Sequence, residues 1–147
     1  MITMKTDFDL RKINLDLSKE LNLAGQIIAK DHFTRLERGQ DANGKQMAPL
    51  EDATIERKGF NQILVNTGKM RNLIVDKATK TKQEVLVHPG EKQKYKKSRV
   101  TMSDVGGFHQ KGKGNLPRRE WFGVSTKAET NIIKMMTHRI DREIRRA

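Results

Sequence analysis

Cysteine is absent from this sequence, which excludes a disulfide framework and thiolate-ligated zinc and fits a reducing compartment. No apolar run approaches the roughly 18 residues of a membrane span. Lys5, Asp7 and Asp9 interrupt the region where a secretory signal would need continuous apolar residues. The expectation is a soluble intracellular chain with no membrane partner. Acid is the minority charge: 18 Asp and Glu against 30 Lys and Arg leave a formal charge of +12. Such a field favours polyanions, either nucleic acid or an acidic protein face. Basicity alone is sequence-independent attraction and serves equally as a solubilising surface.

Recognisable catalytic patterns are also lacking. His32, His88, His109 and His138 are scattered, with no HExxH-like spacing that would set two ligands on one helix face. For His109, which lies inside the glycine-rich 105–125 stretch, a structural, hydrogen-bonding role is the expectation. Gly107 to Lys113 satisfies GxxxxGK, but Gly114 stands where a hydroxyl must reach magnesium, and Pro117 disfavours an immediately following helix. Gly68-Lys69 lacks the upstream glycine. The serines at 18, 98, 103 and 125 form no GxSxG elbow. Glu51 and Asp52 sit beside a turn without apolar neighbours to raise a pKa. No catalytic, cofactor-binding or metal-ligating residue is assigned, no cofactor is expected, and the chain is not expected to be an enzyme.

What is present is a pattern of elements. At 147 residues the length suits one domain, spanning 1–147, with a modest core. Residues 2–10 alternate, with Ile2, Met4, Thr6, Phe8 and Leu10 on one side, which predicts a half-buried strand. Leu10, Ile13, Leu17, Leu21, Ala24 and Ile28, continued by Ala29, Phe33 and Leu36, then recur at helical spacing. They predict an amphipathic helix starting between Asp9 and Asp16, with Asp9, Asn14 or Asp16 as N-cap, and stopping near Gly39. Gly25 inside it suggests close packing. Asn43-Gly44 and Pro49 mark a turn, 51–58 a short helix, and Asn66-Thr67-Gly68 another turn.

Residues 70–78 and 83–88 read as two strands joined near Lys80-Thr81, with Leu73, Val75, Val85 and Val87 inward. Residues 91–104 are polar and read as a mobile basic loop. Lys92, Lys94, Lys96, Lys97 and Arg99, with Tyr95 among them, are the candidate contacts for a polyanion or an acidic partner. Aromatics are only 5% of the chain, and Trp121, Phe108 and Phe122 fall within 105–125, a glycine-rich stretch. It reads as a flexible loop at 106–115 followed by an anchor around Trp121 and Phe122. Thr126 and Glu129 have capping-box spacing. Ile133, Met136, Ile140 and Ile144, widened by Ile132 and Met135, predict a terminal helix whose last turns carry Arg139, Arg142, Arg145 and Arg146. The fold class expected is α+β: a small antiparallel sheet packed with long N-terminal and C-terminal helices, with extended loops.

Three segments in order resemble the phage virion morphogenesis family, the Mu-like neck or tail-completion proteins. The first is Phe33 followed by Gly44, Pro49 and Leu50, with Thr54 and Lys58 downstream; Met47 stands where the family usually has tryptophan. The second runs from Ile63 through Thr67, Gly68 and Met70 to Arg71. The third is His109, Gln110 and Gly112, then Pro117, Arg119, Trp121, Phe122 and Gly123, with Glu120 where proline often follows the arginine.

The resemblance implies an architectural role without covalent chemistry: a virion assembly protein of a tailed phage or prophage-like particle. Copies would form a homo-oligomeric, expected hexameric, ring at the head–tail junction or tail terminus, as a neck, head–tail connector or tail terminator protein. Its partners would be adjacent neck, connector or tail-tube proteins, with DNA passing through the lumen. It would reside in the virion, and in host cytoplasm during assembly. Those family positions would be structural, and His109 and Gln110 would orient their loop. A small basic nucleic-acid-binding module is the alternative, read from the charge alone.

Overall fold

The computed structural model describes residues 15–65, 68–90, 94 and 99–146. The expected strand at 2–10, the helix-cap candidates Asp9 and Asn14, and Thr67, Lys92, Tyr95, Lys96 and Lys97 lie outside those residues. The chain is α+β and mostly helical. Its elements run α1 (Ser18–Glu37), α2 (Asp52–Lys58), β1 (Ile74–Asp76), β2 (Leu86–His88), α3 (Met102–Lys111) and α4 (Thr126–Arg146).

α1 begins at Ser18 after Leu17, which supplies no side-chain cap; the expected cap Asp16 lies one residue further back, its carboxylate accepting the Ser18 N–H at 3.0 Å. The helix stops where Gly39 adopts φ +65°, a left-handed conformation that favours glycine. The next residues fold back as a short hairpin, with Gln40 bridged to Gln46. Asp41 Oδ1 holds its tip by accepting the N–H groups of Asn43 and Lys45. Gly44 there has φ +80°. Helix α2 ends as anticipated, at the left-handed Gly59.

β1 and β2 pair antiparallel, Val75 opposite Val87. Each strand is three residues long, shorter than the alternation suggested. Asn22 of α1 explains one end: its side-chain amide exchanges hydrogen bonds with the backbone of Ala78, donating to the carbonyl (3.0 Å) and accepting from the N–H (2.7 Å). A helix side chain thereby takes the backbone groups that a strand partner would have used. The turn between the strands is closed by Thr79 N–H to Lys82 O, 2.8 Å, around the expected Lys80-Thr81.

Gly25 is the contact that seats α1 on the sheet. A Cβ there would lie 2.8 Å from both Val75 Cγ1 and Val85 Cγ2, so the helix approaches as closely as it does only because the side chain is missing. α4 packs antiparallel along α1. Arg139 Nε meets the Glu20 carboxylate at 3.0 Å near one end, and Ser125 bonds Asp31 near the other.

The core gathers Leu36, Met47, Met70, Met102 and Trp121, with Ile63, Leu64, Leu73 and Val105 packed on it. Three of the five central residues are methionines, whose unbranched thioethers fill irregular gaps. Met47 occupies such a place, buried.

Two expectations are corrected. Residues 102–111 are a helix and not part of a mobile loop. Thr101 caps it in a reciprocal box with Asp104: the Asp104 N–H donates to Thr101 Oγ1 (3.1 Å), and the Thr101 N–H donates to Asp104 Oδ2 (2.9 Å). Two internal glycines cost about 1 kcal/mol each relative to alanine. The cap, the burial of Met102 and the fit of Gly106 beneath Trp121 offset that cost. In α4 the cap falls one residue early: Ser125 Oγ, not Thr126, accepts the Ala128 N–H (3.2 Å).

Candidate assembly surface

The stretch from Arg119 to Ser125 crosses α1, α3 and the 40–50 hairpin, and each residue type meets a specific partner. Trp121 is buried and its indole N–H donates to Gly106 O at 2.8 Å, so the ring's single polar group is satisfied. His32 stands edge-on to Trp121, ring centroids 5.2 Å apart, and Phe122 continues the stack at 5.3 Å from Trp121.

Arg35, buried in α1, reaches the same segment from below. Its guanidinium donates to Trp121 O (3.3 Å) and Gly123 O (2.7 Å) while Nε pairs with Asp31 at 3.0 Å. Asp31 in turn accepts from Ser125 Oγ (2.5 Å) and Ser125 N–H (3.3 Å). Burial opposes the Asp31 charge, but the hydrogen bonds from Ser125 and Arg35 outweigh it and hold the carboxyl below its usual value. Gly123 has no room for a side chain, since a Cβ would come 2.7 Å from Ala42 Cβ.

His32 is 1% exposed. Its Nε2 bonds Met70 O at 2.8 Å, which assigns the proton to that nitrogen and leaves Nδ1 without a partner. Burial is the main reason its pKa drops to about 4; the bond to Met70 opposes the shift. A neutral imidazole packed among aromatics is a core residue.

The residues singled out by the resemblance divide sharply. Gln110 orients the segment: its Oε1 accepts the Phe122 N–H at 3.0 Å. His109 contributes through its backbone, its carbonyl accepting the Arg119 N–H at 2.9 Å. Its half-buried imidazole is held below the usual pKa by burial and then by the Arg119 charge. Gly112 closes α3 in the left-handed conformation, φ +68°, against the backbone of Arg118. Arg119, 5% exposed, donates to Ala48 O and Pro49 O, both at 3.0 Å, and so ties the third motif to the first. Leu50 is half-buried and Pro117 exposed. Gly68 takes φ +81° at its turn. Arg71 pairs with Glu37 and lies over the Phe33 ring at 4.9 Å. Of the basic candidates, Lys94 and Arg99 are described and exposed. Lys94 bridges to Thr101, the cap residue of α3.

The apolar seam expected on α4 is only partly covered. Ala128 is buried, and Ile132, Met135 and Arg139 share its face and are half-buried; Met136 and Ile140 are also half-buried. Ile133 is 56% exposed and Ile144 42% exposed, both in the seam the spacing had set inward. α4 is rotated so that Arg139 reaches Glu20, which turns one edge of the apolar stripe outward. Arg142, Arg145 and Arg146 are exposed at its C-terminal end.

Sequence reasoning passed over two features of this region. The clasp of Arg35 on the Trp121 and Gly123 carbonyls leaves no pattern in the sequence, because those acceptors lie nearly ninety positions away; only its pairing with Asp31, four residues earlier, has a local spacing. Helix α3 did leave one: Thr101 and Asp104 at box spacing, Val105 and Phe108 three apart, and Gly112 as a stop. Among the described residues no cluster of His, Asp and Glu is placed to hold a metal, and no helix is long and apolar enough to cross a membrane. No family model, curated protein or solved structure matches the chain.

Proposed function

We propose that this chain is a structural assembly protein of a tailed phage or prophage-like particle, working as copies in an oligomeric, expected hexameric, ring at the head–tail junction or the tail terminus. The observation that carries the reading is the uncovered edge of α4. In a chain whose surface is densely charged, the large apolar side chains Ile133 and Ile144 project from the longest helix. A neighbouring copy would bury them. The tie from Arg119 to the 48–49 backbone supports it, because it joins two segments in which the resemblance to the virion morphogenesis family lies. Neck, connector or tail-tube proteins would be the partners, and DNA would pass through the lumen.

Mass measurement in solution with negative-stain imaging tests the reading. Closed rings are expected, and a chain that stays monomeric at assembly concentrations and never joins particles overturns it. The exposed Arg142, Arg145 and Arg146 favour one second reading, a basic nucleic-acid-binding module. That reading requires duplex affinity falling steeply with salt, the slope reporting several phosphate contacts.

A further inference from the structure

We infer that the last turn of α4 in one copy, led by Ile144, seats in a cleft at the C-terminal end of α1 in the next copy. The cleft encloses about 450 Å³ between α1, the 40–50 hairpin and residues 61–63. Its floor is apolar: Leu36 and Met47 are buried and Ile63 is half-buried, while the lining residues Gln46, Pro49 and Asn61 are exposed and so form its mouth. A recess of that volume over an apolar floor takes a large aliphatic anchor. Ile144, 42% exposed, is such a side chain.

The two features lie at opposite ends of the molecule. α4 runs antiparallel to α1, with Ser125 bonded to Asp31 and Arg139 to Glu20. Ile144 therefore lies beyond Glu20, which is itself about 25 Å from Glu37 along α1, at ~1.5 Å per residue. No copy reaches its own cleft. The contact is between copies and joins two different surfaces, as a head-to-tail ring requires.

Charge selects the partner. At +12, two copies repel wherever their basic surfaces meet. Among the ten described residues that line the cleft there is one base, Arg38, and one acid, Glu37. Arg71 and Gln62 both bond Glu37 Oε1, yet its side chain stays 39% exposed. The last turn of α1 also presents the partly negative carbonyl end of that helix. Arg145 and Arg146, in the last turn of α4, bring the complementary sign. A nucleic-acid phosphate would meet the wrong one. The inference rests on the proposed assembly role and adds to it the two surfaces that meet.

The test measures oligomer mass by light scattering over a concentration series, on the full chain and on two exposed substitutions. Ile144→Glu spoils the anchor, and Asn61→Arg crowds the mouth with like charge. Each is expected to shift association to concentrations at least about tenfold higher, with urea unfolding curves that match the wild type. Should either unfold, Ile144→Ser or Gln46→Arg takes its place. Mixed where each alone is monomeric, the two variants are expected to recover one contact and stop at the mass of two chains. The Ile144 of the Asn61→Arg chain then sits in the cleft of the Ile144→Glu chain. Association that either variant leaves unchanged overturns the contact, as does a mixture that stays monomeric. A wild type that stops at two chains, loosened by both substitutions, upholds the contact and removes the ring. Rings indifferent to Asn61→Arg do the reverse, and a wild type monomeric at every concentration overturns both.

Discussion

Trp121 lies directly on Gly106: its indole N–H donates to the Gly106 carbonyl at 2.8 Å, and a Cβ on Gly106 would overlap the ring at Cζ2. One glycine in α3 thus supplies both the acceptor and the space for the only tryptophan. Gly107, the next residue, has nothing within 4 Å of a built Cβ.

These neighbours should respond oppositely to alanine. Gly107→Ala gains about 0.5–1 kcal/mol from helix propensity. Gly106→Ala gains the same propensity but loses about 1–3 kcal/mol to overpacking, for a net loss. Urea unfolding of the two single variants checks the sign of each, and equal stabilisation of both would refute the Trp121 contact.

Gly25 makes a second, independent prediction. Gly25→Ala sets a methyl against Val75 and Val85 and should destabilise by about 1–2 kcal/mol despite better helix propensity. Val85→Ala in the same molecule should recover part of that loss, because it removes one of the two opposing methyls. A double-mutant cycle measures the coupling.

His32 sets a pH dependence. Its pKa is about 4 in the folded chain and about 6.5 when unfolded. Above pH 6.5 it is neutral in both states and contributes its full stability. Between 6.5 and 4 only the unfolded state takes up a proton, so stability falls as pH falls, by up to roughly 3 kcal/mol in all. His32→Gln should be less stable at pH 7.5 yet show a flatter profile across that window. Chemical denaturation at half-unit pH steps gives both curves; parallel curves would exclude His32 as the source.

The uncovered edge of α4 predicts separable effects on folding and assembly. Ile133→Glu should leave unfolding stability within about 0.5 kcal/mol of wild type, as exposed positions generally do, while lowering oligomer mass. Ala128→Glu should instead unfold the chain, since Ala128 is the buried residue of α4, the helix that packs along α1. An Ile133→Glu protein that is markedly destabilised would place that residue in the folding core.

Much of the architecture was legible in the residues alone. The apolar spacing through Leu36 and the left-handed glycine at 39 delimit α1, and Gly59 ends α2 where expected. The valines of β1 and β2 face inward, and the terminal helix runs to Arg146. These are local effects: periodicity, capping and positive φ act within a few residues, so the sequence carries them openly. Helix α3 was misread because glycine at 106 and 107 lowers local propensity, and the compensation comes from Trp121, fifteen residues away.

The sequence by itself determined the fold class, the places of α1, α2 and α4 along the chain, and the excess of positive charge. Only the tertiary structure decided which side of α4 is buried and which backbone groups Arg35 and the buried Arg119 clasp. Spacing places residues on a face of a helix, but it cannot choose the rotation that brings Arg139 to Glu20. That choice rests on contacts between residues more than a hundred positions apart, and it is what leaves Ile133 and Ile144 facing outward.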